Sequence, residues 1–245
     1  MKNYQAPQEL LKDRVILVTG AGQGIGRTAA LAYAAHGATV ILHGRKTEKL
    51  EKVYDEIEAA GYPQPAILPL DLGKAGDRDF EAFTNAIKIQ LGRLDGILHN
   101  AAHLDGLRQL ELETLEQWMS ALRINLAAPF ALTRACLPLL KAAPDASVIM
   151  TSDSHGHNPA AYWGSFAVAK AGLEALVKIW TQELEVHPDL RINTLIPHPV
   201  QSPQRARTHP GELRDSLPLP ESLMPCYLYL MGPDSGKVKG QTIEC

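Results

Sequence analysis

The sequence predicts an α/β fold, a doubly wound parallel sheet with helices on both faces. Three observations carry this. Short apolar, β-branched runs alternate with longer stretches of helical periodicity. The first run, Val15-Ile16-Leu17-Val18-Thr19, enters a glycine turn, Gly20-Ala21-Gly22-Gln23-Gly24-Ile25-Gly26, that opens a helix. The alternation continues to about Ile196, and right-handed crossovers wind such a series into one sheet. The chain has 245 residues, 45% of them hydrophobic and 21% charged, which suits a single domain over 1–245 with a sizeable core.

The elements follow in order. After the glycine turn, Thr28 to Ala35 continues a helix rich in small residues, and Gly37 caps its end. Thr39-Val40-Ile41-Leu42 is the second strand, ending at His43-Gly44-Arg45-Lys46. Thr47 caps a helix carrying Leu50, Val53, Tyr54 and Ile57, which stops at Gly61. Ala66 to Leu70 is the third strand, Asp77 to Leu91 a helix, and Leu94 to Leu98 the fourth strand. Thr114 to Lys141 is helical, bent near Pro129 and Pro138. Ser147 to Met150, a helix from Gly164 to about Val186, and Arg191 to Ile196 complete the alternation. The proline-rich stretch 197–220 lacks periodicity and follows the sixth strand, the place for a lid over a ligand. A helix near 221–231 and a strand at Thr242-Ile243 end the chain.

The formal net charge of −3, with no basic run, argues against nucleic acid as a partner. No apolar run reaches the ~18 residues of a membrane span, and the polar start, Met1 to Asp13, has no signal-peptide core. A cytoplasmic protein is the expectation. Cys136, Cys226 and Cys245 are too few and too scattered for a disulfide framework or a zinc site.

A glycine turn between a strand and a helix N-terminus binds phosphate, because backbone N–H groups and the helix dipole face the anion and no Cβ holds it away. The spacing here is T-G-x-x-x-G-x-G on Gly20, Gly24 and Gly26, with Gln23 and Ile25 between. No acid ends the second strand to take a ribose 2′-hydroxyl. Arg45 stands there, with Lys46 or Arg27 to assist, and suits a 2′-phosphate. NADP(H) is therefore expected over NAD(H). Asp71, followed by Leu72, is a candidate acceptor for the adenine amino group, or a plain loop-start aspartate.

Thr19-Gly20-Ala21-Gly22-Gln23-Gly24-Ile25-Gly26, Asp71-Leu72, Asn100-Ala101-Ala102, Asn125 and Lys170 together resemble the short-chain dehydrogenase/reductase family over nearly the whole chain. Residues 4–14 and 224–232 resemble its YciK-like bacterial branch. The resemblance implies a Rossmann-type sheet of about seven strands, a homodimer or homotetramer, and hydride transfer between a nicotinamide and a carbonyl or alcohol. It also implies a catalytic Tyr-x-x-x-Lys, a Ser thirteen residues before the Tyr, and an Asn on the preceding long helix. Lys170 and Asn125 match. Phe166 stands at the tyrosine position and Asp153 at the serine position, and Pro197 is followed by His198-Pro199-Val200 in place of the family's Pro-Gly.

Phenylalanine cannot pass a proton, and losing a positioned acid or base costs about 10²–10⁴ in rate. Several replacements stay open. Asp153 could donate if burial kept it protonated, Ser152 or Ser154 could supply a hydroxyl by a one-residue shift, and Tyr162 lies one helical turn before Phe166. His99, His103, His155, His157 and His198 follow strands and could meet a metal, but their spacing carries no metal signature. Three readings result: an NADP(H)-dependent oxidoreductase acting on an unknown carbonyl or alcohol with substitute proton chemistry, a catalytically degenerate protein that binds a dinucleotide or other small ligand, and an interaction role for the long helices.

Overall fold

A computed structural model describes residues 1 and 3–245. Seven parallel strands form one sheet in the order β3-β2-β1-β4-β5-β6-β7. They are β1 (Val15–Thr19), β2 (Thr39–His43), β3 (Ala66–Ile67), β4 (Gly96–His99), β5 (Ala146–Thr151), β6 (Leu190–Ile196) and β7 (Thr242–Glu244). Helices cover both faces, so the central strands are buried on both and read as continuous apolar runs. Alternate residues serve opposite faces: Ile16 and Val18 join one core, Val15 and Leu17 the other. The first core holds α1 (Gly24–Ala35), α2 (Thr47–Ala59) and α9 (Met224–Met231) through Tyr33, Ile57 and Tyr227. The second holds α3 (Asp77–Leu91), α5 (Ala128–Ala142) and α7 (Gly164–Glu183) through Phe83, Leu132 and Val177.

Four local expectations are corrected. Thr47 is the first residue of α2, and Lys46 precedes it without a side-chain cap. The third strand is only Ala66–Ile67, because it lies at the sheet edge with a single neighbour. The long helical stretch is broken neither at Pro129 nor at Pro138. It breaks at a π turn, Arg123–Ala127, between α4 (Leu115–Leu122) and α5, while Pro129 sits in the first turn of α5, where no N–H is needed. Two of the three cysteines are paired: a disulfide joins Cys226 of α9 to Cys245 beside β7 (Cα–Cα 6.3 Å), and Cys136 is buried and free. Linear spacing hides that pair, since only the folded sheet brings β7 against α9.

The sheet end opposite the ligand side is closed by charge. Asp145, just before β5, takes ion pairs from Arg14 and from the buried Arg191 of β6. Arg191 also donates to the Gly232 carbonyl (2.7 Å) and to Ser235 Oγ (2.9 Å), so its desolvated guanidinium is well supplied with acceptors. No helix among the described residues is long and apolar enough to cross a membrane.

Candidate functional site

A cleft of about 1020 Å³ opens beyond the carboxyl ends of the strands, where an open α/β sheet holds its ligands. Its floor at one end is the glycine turn. Gly20 (φ +71°) and Gly24 (φ +55°) take left-handed backbone, and a Cβ on Gly26 would overlap the Gly20 carbonyl oxygen and lie 2.7 Å from Asn100 Nδ2. Gly20, Gln23, Gly24 and Ile25 border the cleft, whereas Gly26 lies beneath it as the packing contact that lets α1 start there. Thr19 Oγ1 accepts from the Asn100 and Ala101 backbone N–H groups (both 3.0 Å), so the ends of β1 and β4 are tied into one rim.

Arg45 and Lys46 are exposed at the end of β2 and border the cleft. Among the described residues no carboxylate pairs with Arg45. Arg27, expected as a possible helper, is turned to Glu56 instead. Lys49 takes over as the neighbouring cation and donates to Gln23 Oε1. Asp71 Oδ1 accepts from Gly73 N (3.0 Å), a loop-start role, while the residue still borders the cleft beside Leu72. Behind this end lies His43, fully buried, edge-on to Phe83 at 5.6 Å between centroids. Burial pushes its pKa down to about 4, so it is neutral at pH 7.

The other end is built from β5, α7 and the loop between them. Lys170 is buried, and its Nζ donates to the Thr151 carbonyl (2.6 Å). Burial lowers its pKa to about 8, against the pull of Asp153. Phe166 is 1% exposed, one turn before Lys170, with Lys170 Nζ 5.5 Å from its ring centre. Asp153 is part-exposed. It caps the short helix α6 (Ser154–His157) by accepting from His155 N (2.9 Å), and it takes His155 Nδ1 at 2.7 Å. The burial on which a proton-donating Asp153 would depend is absent. Ser152 Oγ faces Glu174 (3.3 Å) on α7, and Ser154 borders the cleft at the start of α6. Tyr162 is 54% exposed on a left-handed turn (φ +74°) and does not border the cleft.

Asn125 is also off the cleft. In the π turn its side chain bridges the His103 backbone, Oδ1 accepting from N (2.8 Å) and Nδ2 donating to O (2.7 Å), which holds the loop after β4. Of the five histidines, His103, His155 and His198 border the cleft, each with its own partner: His103 pairs with Asp105, His155 with Asp153, and His198 bonds the Cys245 carbonyl and Ser222, while His99 bonds Thr133 and His157 bonds Glu174. No group of three metal-ligating side chains occurs among the described residues. Of stretch 197–220, the first part, Pro197 to Thr208, borders the cleft, and the part after Thr208 does not. The first part carries α8 (Pro203–Thr208), capped by Ser202 Oγ accepting from Arg205 N (3.1 Å), and Pro203 reaches Gly24. Sequence reasoning overlooked Trp163, which roofs Phe166 at 5.9 Å and stacks on His155 at 3.6 Å between ring centres. The only linear signal for this group was the Asp153-x-His155 spacing.

A model of the short chain dehydrogenase family matches residues 14–212. The uncharacterized oxidoreductase YciK of Escherichia coli K12 is 38% identical over 242 residues, covering 99% of this chain and 95% of that protein. A short chain dehydrogenase structure from Pseudomonas syringae superposes with a TM-score of 0.96 at 45% identity, covering 99% of this chain and 98% of the other. A short chain dehydrogenase from Shigella flexneri 2a, solved in complex with NADP, has a TM-score of 0.94 at 39% identity, covering 97% and 99%. The glycine cradle, the seven-stranded parallel sheet and these matches agree, and the chain belongs to the short-chain dehydrogenase family of oxidoreductases.

Proposed function

We propose that this chain binds NADP(H) in preference to NAD(H) and acts as an oxidoreductase on a carbonyl or alcohol, with the family's Tyr–Ser proton machinery replaced. The observation that carries the reading is Arg45: an exposed guanidinium beside a glycine cradle, with no acid at the end of β2 to take a free ribose hydroxyl. The NADP complex of the Shigella flexneri relative supports the same cofactor. Gly20, Gln23, Gly24 and Ile25 would hold the pyrophosphate, Asp71 and Leu72 the adenine, Asn100, Ala101 and Lys170 the nicotinamide half. Exposed Met119, Phe130, Val168 and Ile179 on α4, α5 and α7 support the homodimer or homotetramer.

Phe166 favours a second reading. A ring without a hydroxyl sits where the family resemblance implies the proton donor, so the chain is then a dinucleotide-binding protein that does not turn its cofactor over. A fluorescence titration with NADPH and NADH tests both readings. NADPH binding at least tenfold tighter than NADH supports the cofactor assignment. Failure to bind either defeats both. Oxidation of bound NADPH by added carbonyls then separates the first from the second.

A further inference from the structure

We infer that Asp153 and His155 form a proton-transfer dyad in place of the missing tyrosine, with His155 Nε2 serving the substrate oxygen and Asp153 as its positioning residue. This rests on the proposed NADP(H)-dependent reading. Four observations place the dyad. His155 Nδ1 lies 2.7 Å from Asp153 Oδ1, and the same oxygen accepts from the His155 backbone N at 2.9 Å, so ring and backbone are held together. The imidazole stacks on the Trp163 indole at 3.6 Å and 12°, which fixes its plane. A Cβ on Gly156 would come within 2.5 Å of Lys170 Cβ, so α6 lies directly on α7 at the turn that carries Lys170. Both Asp153 and His155 border the cleft, their side chains about a quarter exposed, and no described group takes Nε2.

The chemistry follows from which nitrogen is engaged. A carboxylate accepting from Nδ1–H fixes the tautomer and supports the charge on the imidazolium. The protonated ring then presents Nε2–H to the cleft, and the neutral ring presents an Nε2 lone pair. When bound, NADPH supplies a hydride to the carbonyl carbon and is oxidised, leaving an oxygen that needs one proton. The Nε2–H bond breaks to give that proton, and the imidazole regains one from water at the exposed side of the dyad. In the reverse direction Nε2 takes the alcohol proton. Lys170 is a poorer donor, since its Nζ is held by the Thr151 carbonyl beneath Phe166. Of the charged groups on this side of the cleft, Glu174 is engaged with His157 and Ser152 and Arg205 with Glu212, while Arg207 borders the cleft exposed. His209, just after α8, lies 6.2 Å from the Trp163 ring.

The full-length protein is tested with NADPH and two activated carbonyls, 4-nitrobenzaldehyde and phenanthrenequinone. His155→Gln should lower kcat by about 10²-fold or more while KM and NADPH affinity hold. Asp153→Asn should also lower kcat. Imidazole ¹⁵N shifts of the unaltered protein, read without cofactor, should show the Nδ1–H tautomer at His155, and Asp153→Asn should abolish that preference. Unchanged kcat in His155→Gln, or a mixed tautomer in the unaltered protein, overturns the dyad. If the unaltered protein binds NADPH but reduces neither carbonyl, the dyad falls and the binding-only reading stands. If NADPH does not bind, the proposed function falls and takes the dyad with it.

Discussion

Arg45→Ala should separate the two dinucleotides. The Arg45 side chain stands exposed at the rim with no carboxylate partner among the described residues, and Lys46 and Lys49 flank it on the same cleft wall. A hydrogen bond to a charged group contributes about 1.5–3 kcal/mol, and a guanidinium can offer a phosphate two in parallel. Exposure and counterions screen this site, and the two remaining lysines retain part of the attraction. A net loss of about 1.5–2 kcal/mol is the reasonable residue, which is roughly a 10- to 30-fold weaker Kd for NADPH. NADH has no 2′-phosphate and should change little. The assay is a fluorescence titration of each dinucleotide against wild type and variant at low and high salt. The wild-type preference for NADPH should shrink at high salt, and the variant's affinities should depend less on salt. Equal weakening of NADPH and NADH would refute the reasoning, because it would place Arg45 on the shared adenosine or pyrophosphate instead.

Other perturbations probe the cradle and the frame. Gly26→Ala puts a Cβ into the Gly20 carbonyl and beside Asn100, so both dinucleotides should lose affinity together; binding equal to wild type would show that α1 can back away freely. Asp145→Ala leaves the buried Arg191 without its carboxylate and should cost about 3–5 kcal/mol in denaturant unfolding; a loss below about 1 kcal/mol would show that Gly232 and Ser235 suffice. His43 has a folded pKa of about 4 against an ordinary 6.5, so the unfolded chain binds the extra proton and stability falls as pH drops from 6.5 through 4. That loss amounts to about 3 kcal/mol by pH 4, and His43→Leu should flatten the acid limb of stability against pH; an unchanged limb would refute it.

Much of the fold was legible because parallel strands buried on both faces are mostly apolar, as Val15 to Val18, Val40 to Leu42 and Val148 to Met150 are, while β6 keeps Arg191, Asn193 and Thr194 among its apolar residues. The misreadings came from features that periodicity does not encode. A two-residue edge strand has no pattern to find. The π turn disturbs the helical spacing over only five residues, so the prolines nearby drew the bend to themselves. The Cys226–Cys245 pair depends on β7 joining the far edge of the sheet, a contact between segments that share no local signal. The Arg14–Asp145–Arg191 cluster is likewise assembled from three separate stretches.

The two ends of the cleft differ in legibility for a physical reason. The phosphate end is made by backbone: glycines in left-handed or crowded positions, one strand-to-helix turn, one cation at a strand end. Such a site is contiguous in sequence, and Gly20 to Gly26 reads directly. The end around Lys170 is made by side chains whose neighbours come from elsewhere. Asp153 looks wrong beside a developing alkoxide when judged as a replacement for a serine, since a carboxylate there would repel the charge. In the fold that carboxylate is turned to the Nδ1 edge of His155, and Trp163 covers the imidazole face. A negative group that is repulsive as a direct contact becomes useful one residue further back, where it stabilises a cation that can give up its proton. Phe166 and Asp153 also meet through one neighbour: the apolar ring at 166 packs under Trp163, and Trp163 covers the face of the histidine that Asp153 holds.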